Sequence, residues 1–150
     1  TMWELRAAGI EAVLITDSTA GTVMQRGMVQ GVFVGADRIA ANGDTANKVG
    51  TYPLAVLARH HAIPFTVVAP TSTVDFSMPD GKRIPIEERS PEEVTQIGGF
   101  RIAPEGTPVF SPAFDLTPND LISSIVTEYG VLRPPYGPAI ARMKHKGARG

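Results

Sequence analysis

Three short, unbroken apolar runs set the frame for this chain: Ala12-Val13-Leu14-Ile15-Thr16, Gly31-Val32-Phe33-Val34-Gly35-Ala36 and Phe65-Thr66-Val67-Val68-Ala69-Pro70. Each is bounded by turn residues and lacks polar alternation, the pattern of strands covered on both faces. Helix-length stretches lie between them. Residues 18–27 set Ala20, Val23 and Met24 at helical spacing, and residues 45–61 align Ala46, Val49, Gly50, Pro53, Leu54, Leu57 and Ala58 along one stripe. Pro53 falls inside that stripe, so the helix is kinked there or starts further along. Strand, helix, strand, helix, strand implies right-handed crossovers. It predicts an α/β domain with a Rossmann-like, doubly wound parallel sheet and helices on both faces.

With 150 residues, 43% of them hydrophobic, the chain suits one compact domain with a core. The 14 Lys and Arg residues meet 15 Asp and Glu, for a net charge of -1, which argues against a general binder of nucleic acid or acidic membranes. No apolar run approaches the roughly 20 residues of a membrane span. The N-terminus has no signal-peptide layout, so a soluble, cytoplasmic protein is expected. Having no cysteine, the chain holds no disulfide, thiolate metal site or cysteine nucleophile of its own. Thr1-Met2-Trp3-Glu4-Leu5 reads as if entered within a helix, and prolines crowd the second half. A piece of something larger, with a long ordered loop, is the expectation.

Residues 71–116 break the early rhythm with Pro79-Asp80-Gly81-Lys82, Pro85 and Pro91. Ser90-Pro91-Glu92-Glu93 predicts a short helix ended by Gly98-Gly99. Thr117-Pro118-Asn119-Asp120 predicts a second, running through Leu121, Ile122, Ile125 and Val126 to Gly130. From Arg133 the chain is basic and free of acids, and Arg142-Met143-Lys144-His145-Lys146 reads as a frayed end. The domain is accordingly set at 1–135, with 136–150 as a flexible basic tail.

The stretch richest in chemistry runs from Gly35 to Lys48. Asp37 falls at the end of the second run, where ligands bind in doubly wound sheets. Capping a helix or pairing with Arg38 explains it equally well. Asn47 and Lys48 fall in the first turn of the helix expected after Gly43, where free N–H groups favour an anion. A lysine there is misplaced for helix stability, which favours phosphate binding over mere solubility. Neither GxGxxG nor a Walker A sequence is present. Asp75 follows Ser72-Thr73-Val74 on the ligand side, as a site residue or a loop cap. Glu87-Glu88-Arg89 reads as a structural ion pair. His60 and His61 suit a helix end and lack a third ligand, so no metal is assigned. Asp115 caps the following helix or lines a site.

Val34-Gly35-Ala36-Asp37-Arg38-Ile39-Ala40-Ala41-Asn42-Gly43-Asp44, with Asn47-Lys48-Val49-Gly50-Thr51-Tyr52, resembles the S-methyl-5-thioribose-1-phosphate isomerase family. These are aldose–ketose isomerases of methionine salvage. Ile63-Pro64-Phe65, Ala69-Pro70, Ser72-Thr73-Val74-Asp75 and Ile84-Pro85-Ile86-Glu87-Glu88-Arg89 share the resemblance, as do Pro112-Ala113-Phe114-Asp115-Leu116-Thr117-Pro118 and Thr127-Glu128-Tyr129-Gly130. It runs from Thr1 to about Pro135, with Ser111 where Asn is the family's residue. The resemblance implies the Rossmann-like C-terminal half of the enzyme, with Asp37 as the catalytic aspartate. The catalytic cysteine then belongs to the N-terminal half. It implies Asn47 and Lys48 as phosphate-holding residues, a phosphorylated sugar as substrate and a homodimer. Neither metal nor nicotinamide is implied as cofactor, and neither nucleic acid nor membrane as partner.

The wider superfamily includes ribose-1,5-bisphosphate isomerase and the regulatory subunits of the initiation-factor exchange complex. A related isomerase, or a non-catalytic subunit sensing phosphosugars or nucleotides, is therefore the alternative. Asp37 with Arg38, and the Pro85–Arg89 stretch, favour the methylthioribose enzyme. On that reading Asp37 carries the proton that the ring oxygen must receive. Its pKa then has to rise from about 4, with Val32-Phe33-Val34 and Ile39 as the expected apolar walls.

Overall fold

The computed structural model describes residues 1–147. Two of the three apolar runs pair as expected. Strands β1 (Val32–Val34) and β4 (Phe65–Val68) lie parallel, with Val32 opposite Phe65 and Val34 opposite Val67. They begin a sheet of order β1-β4-β9-β10. In it β9 (Ser124–Thr127) runs parallel to β4, and β10 (Gly130–Leu132) antiparallel to β9. Phe65, Val67 and Ile125 are fully buried, and the hydroxyls of Thr66 and Ser124 satisfy each other across the strands at 2.9 Å.

The second sheet is of order β5-β2-β3-β8, built from β2 (Arg38–Ala40), β3 (Thr45–Lys48), β5 (Val74–Asp75) and β8 (Phe114–Thr117). Only β2 and β5 are parallel in it. The domain is thus α/β with mixed sheets, not the all-parallel sheet expected. A two-stranded ladder, β6 (Gln96–Ile97) with β7 (Phe100–Arg101), stands apart.

Helix α1 (Met2–Ala7) buries nothing, α2 (Ala20–Gln25) buries Met24, and α3 (Thr51–His60) buries Thr51, Ala55 and Ala58. One cluster joins Met24, Ile39, Ala55, Phe65, Val67, Ile125 and Ile140, so it fastens both sheets to the helices. A smaller one sets Ala40, Ala46 and Ile84 against Leu116.

Several expectations fail, each for a local reason. Residues 12–16 form no strand; Val13 and Leu14 are 82% and 78% exposed, and no strand among the described residues pairs with the outer edge of β1. The helix expected over 45–61 is split, with strand up to Lys48 and helix from Thr51. Pro53 then sits in the first turn, where its missing N–H costs nothing. The stretch 117–130 is not helical. After one 3₁₀ turn at Asn119–Leu121 its β-branched residues become β9, and Gly130 (φ 114°) opens β10. Ser90-Pro91 starts only a single turn, α4 (Glu92–Thr95); Gly98-Gly99 (φ 57° and 84°) form the hairpin turn between β6 and β7.

The expected flexible tail is helix α5 (Tyr136–Gly147), whose Tyr136, Ala139, Ile140 and Met143 recur at helical spacing and are buried. The Tyr136 hydroxyl donates to Ile122 O at 2.8 Å. Residues 148–150, also assigned to that tail, lie outside the described residues. No helix among the described residues is long and apolar enough to cross a membrane.

Asp44 ties the loops together. Its carboxylate accepts from Asn42 Nδ2 (2.9 Å), Gly81 N (3.0 Å), Asn119 N (2.9 Å) and Asn119 Nδ2 (2.8 Å). Burial pushes its pKa up, but these donors outweigh that and hold the carboxyl below its ordinary value. Asp44→Ala is expected to lower unfolding free energy by about 2–4 kcal/mol, read from urea titrations at neutral pH. Since the folded pKa is depressed, the contribution is complete above about pH 4 and fades as pH falls through the folded value. The variant should therefore show a flatter acid limb than the parent. Superimposable acid limbs would remove Asp44 as the knot.

Candidate active site

The hairpin β2–β3 carries the site. After β2 the chain turns with Gly43 N bonded to Ala40 O (2.9 Å), and Gly43 takes φ 93°, a three-residue hairpin loop with a left-handed glycine. A side chain at Gly43 would also meet Tyr136 Cβ at 2.7 Å, so the turn is seated against α5. Arg38 stands opposite Ala46, and Asp37 N also donates to Ala46 O at 2.9 Å, so Asp37 and Arg38 both face Ala46 at the open end of the hairpin. The open end of the hairpin thus carries Asp37 on one side and, one residue beyond Ala46, Asn47 on the other.

Asp37 is exposed and borders a cleft of about 390 Å³ with Arg38, Ser72, Thr73, Val74, Asp75 and Phe76. Its carboxylate has no hydrogen-bond or ion-pair partner among the described residues. Arg38 does not pair with it; it reaches Asp75 Oδ2 at 3.5 Å instead. Asp75 also accepts from Ser77 Oγ (2.6 Å) and Ser77 N (3.0 Å), and Ser77 ahead of Arg38 holds its carboxyl below the usual range. Asp75 thus works as a loop cap at the rim of the cleft. Glu128 Oε2 accepts from Thr71 N (2.9 Å), tying the β9–β10 turn to the 3₁₀ turn Thr71–Thr73 beside the cleft. The apolar walls expected around Asp37 are elsewhere: Phe33 is 73% exposed on β1, and Ile39 is 0% exposed in the core.

Asn47 and Lys48 close β3 and do not lie in a helix turn as expected. Asn47 is half-buried, and its Nδ2 donates to Thr51 Oγ1 at 3.1 Å; that hydroxyl donates to Lys48 O at 2.8 Å. The amide oxygen of Asn47 and its second N–H keep their bonding capacity. Lys48 is exposed beside them. The N-terminus of α3, where the anion was expected, holds the Asp115 carboxylate, bound by Gly50 N (2.7 Å) and Tyr52 N (3.0 Å). Asp115 is a cap, but of a helix before it in sequence. Gly50 followed by Thr51-Tyr52-Pro53 is the signal for this late helix start, and nothing local points to Asp115 or to Thr51 as Asn47's partner.

The remaining candidates are structural. Arg89 pairs with Glu87 (3.2 Å) and Glu93 (2.7 Å), and His60 and His61 stand edge to face at the end of α3. Among the described residues no group of three or more His, Asp or Glu could hold a metal ion. A second hollow, about 440 Å³ between β10 and α5, is bordered by Arg133 and Arg142 and does not include Asp37.

An α/β domain thus holds an exposed aspartate, without a side-chain partner among the described residues, beside a cleft past the ends of β1 and β4, with Asn47 and Lys48 at the end of β3. The model of the Initiation factor 2 subunit family matches residues 1–134, and the chain belongs to that family. It is 57% identical over 143 residues to methylthioribose-1-phosphate isomerase 1 of Pseudothermotoga lettingae, covering 95% of this chain and 41% of that protein. It is 62% identical over 142 residues to the methylthioribose-1-phosphate isomerase of Oleidesulfovibrio alaskensis, covering 95% and 40%. The crystal structure of the Pyrococcus horikoshii 5-methylthioribose 1-phosphate isomerase superposes with a TM-score of 0.91 at 53% identity, over 95% of this chain and 40% of that one. That of translation initiation factor eIF-2B, subunit delta, from A. fulgidus gives 0.87 at 47% identity, over 94% and 42%. The chain spans about 40% of the length of the curated relatives it matches.

Because Thr51 is buried and its hydroxyl links Asn47 to Lys48, Thr51→Val keeps the shape and removes the link. It should lower stability by about 1–2 kcal/mol in urea titration and shift the Asn47 side-chain amide resonances. Unmoved resonances would detach Thr51 from the site.

Proposed function

We propose that the chain is the C-terminal part of an aldose–ketose isomerase of methionine salvage. The reaction converts S-methyl-5-thioribose 1-phosphate to S-methyl-5-thioribulose 1-phosphate. The observation that carries this reading is the exposed Asp37 carboxylate at its cleft, without a side-chain partner among the described residues, at the open end of the hairpin whose β3 closes with Asn47 and Lys48. The similarity to named isomerases supports it. In the reaction the C1–ring oxygen bond breaks, the ring oxygen takes a proton, the C2 hydrogen ends on C1 and the C2 hydroxyl loses its proton. Asp37 is the proton carrier at the ring oxygen. Asn47 and Lys48 hold the phosphate and steady the developing oxyanion.

The same reading has an upstream segment supply a catalytic cysteine, with the whole protein a cytoplasmic homodimer. The parallel strands β1, β4 and β9, with α3 between β1 and β4, support a Rossmann-like, doubly wound sheet completed by that segment. The likeness to an initiation-factor subunit favours a second reading, a non-catalytic subunit that binds a phosphosugar or nucleotide. An isomerase of another phosphorylated ribose differs from the first only in its sugar pocket.

In the full-length protein, Asp37→Asn should cut turnover of methylthioribose 1-phosphate by about 10²–10⁴-fold while phosphate-ligand binding persists. The pH limb that Asp37 governs should disappear with it. Binding without turnover by the parent protein would select the subunit reading, and turnover of ribose 1,5-bisphosphate alone the related isomerase.

A further inference from the structure

The first turn of α3 is already filled by an anion. The Asp115 carboxylate takes both the Gly50 and the Tyr52 N–H, reaching back across 63 residues of sequence to Tyr52. Strand β8 delivers it. In the antiparallel pairing of β3 with β8, Asp115 stands opposite Asn47 and Phe114 opposite Lys48, and Val49 N donates to Ala113 O at 3.1 Å. Gly50 takes φ 106°, the left-handed step by which strand becomes helix, and Asp115 binds the N–H of that very residue. The turn Lys48–Thr51 is thus held from outside by Asp115 and from inside by Thr51.

We propose that Asp115 is a positioning residue for phosphate binding: by capping α3 it fixes the turn that aims Asn47 and Lys48 at the phosphate. The proposal rests on the reading of those two residues as the phosphate-holding pair. It has a second consequence. Since Asp115 occupies the Gly50 and Tyr52 N–H groups, the phosphate takes neither of these and is held chiefly by side chains.

The sign of the effect on phosphate separates this from a plain structural cap. In the full-length protein, Asp115→Ala and Asp115→Asn are assayed for kcat and KM on methylthioribose 1-phosphate and for inhibition by inorganic phosphate, beside Lys48→Ala. Both Asp115 variants should raise KM and the phosphate inhibition constant, about tenfold for Ala and less for Asn, which keeps one acceptor oxygen. The fall in kcat should stay within about threefold. An unchanged KM with reduced kcat or melting temperature makes Asp115 a structural cap and overturns the proposal. Tighter phosphate binding overturns it too, because the cleared helix end is then the anion site. If Lys48→Ala leaves KM and phosphate inhibition untouched, the phosphate-pair reading itself falls and takes the proposal with it. That result is distinct from a failure of the Asp115 variants alone. Should Asp115→Ala not fold, Asp115→Asn decides.

Discussion

The four hydrogen bonds gathered by the Asp44 carboxylate hold together segments that are far apart in sequence. Asn42 belongs to the β2–β3 turn, Gly81 to the turn after β5, and Asn119 to the step between β8 and β9. Two of these join the strands of the second sheet, and the third leads out of it into the first. A carboxylate suits this post because it accepts several N–H donors at once and each charged bond is stronger than a neutral one. The cost of half-burying the charge is met by the donors, as the lowered pKa records. With that knot in place the closed end of the β2–β3 hairpin, whose open end carries Asp37 and Asn47, is anchored to the segments around Gly81 and Asn119.

The aspartates of this domain divide by what they touch. Asp44 is surrounded by donors, Asp115 is clamped on a helix end, and Asp75 is wrapped by Ser77 and met by Arg38. The donors around Asp44 and Asp75 hold those two carboxyls below their ordinary values, and all three carboxylates are engaged within the domain. Asp37 stands in the same region of sheet ends, with its main chain locked to β3 and its side chain bonded to nothing among the described residues. A carboxylate with a rigid backbone and an idle side chain is poor use of charge for stability and good use of it for chemistry.

How much of this was legible in the sequence follows from which signals are local. Strands β1 and β4 were readable because a continuous apolar run between turn residues has few other outcomes. Residues 121–126 were not: Leu121, Ile122, Ile125 and Val126 fit helical spacing, yet β9 buries consecutive residues against both neighbours, and only the tertiary pairing with β4 decides between the two. The run 12–16 reads as a strand whether or not its partner lies in the chain. Asp37, Asn47 and Lys48 were readable as candidates, but their element was not. The stripe through Ala46 and Val49 extended the helix over residues that β8 claims as strand. Asp115 was invisible as a cap for α3, since capping patterns in sequence are read only over a turn or so.

Asp37 also shows where the domain's own residues stop short. A carboxylate that passes a proton near neutral pH has to be drawn out of water, because burial is what raises its pKa. Here Asp37 is exposed, its cleft is bordered by Ser72, Thr73 and the Arg38–Asp75 pair with only Val74 and Phe76 as apolar neighbours, and Phe33 and Ile39 lie elsewhere. Phe33, Val13 and Leu14 leave apolar surface exposed on β1 and on the run before α2. Under the proposed function, desolvation of Asp37 must come from what closes over the cleft: the sugar itself, the upstream segment, or both. Rigidity and charge placement reside in this domain, whereas dryness has to be brought to it. The acid role of Asp37 is in that sense conditional on closure, while the main-chain bond that holds it to Ala46 is not.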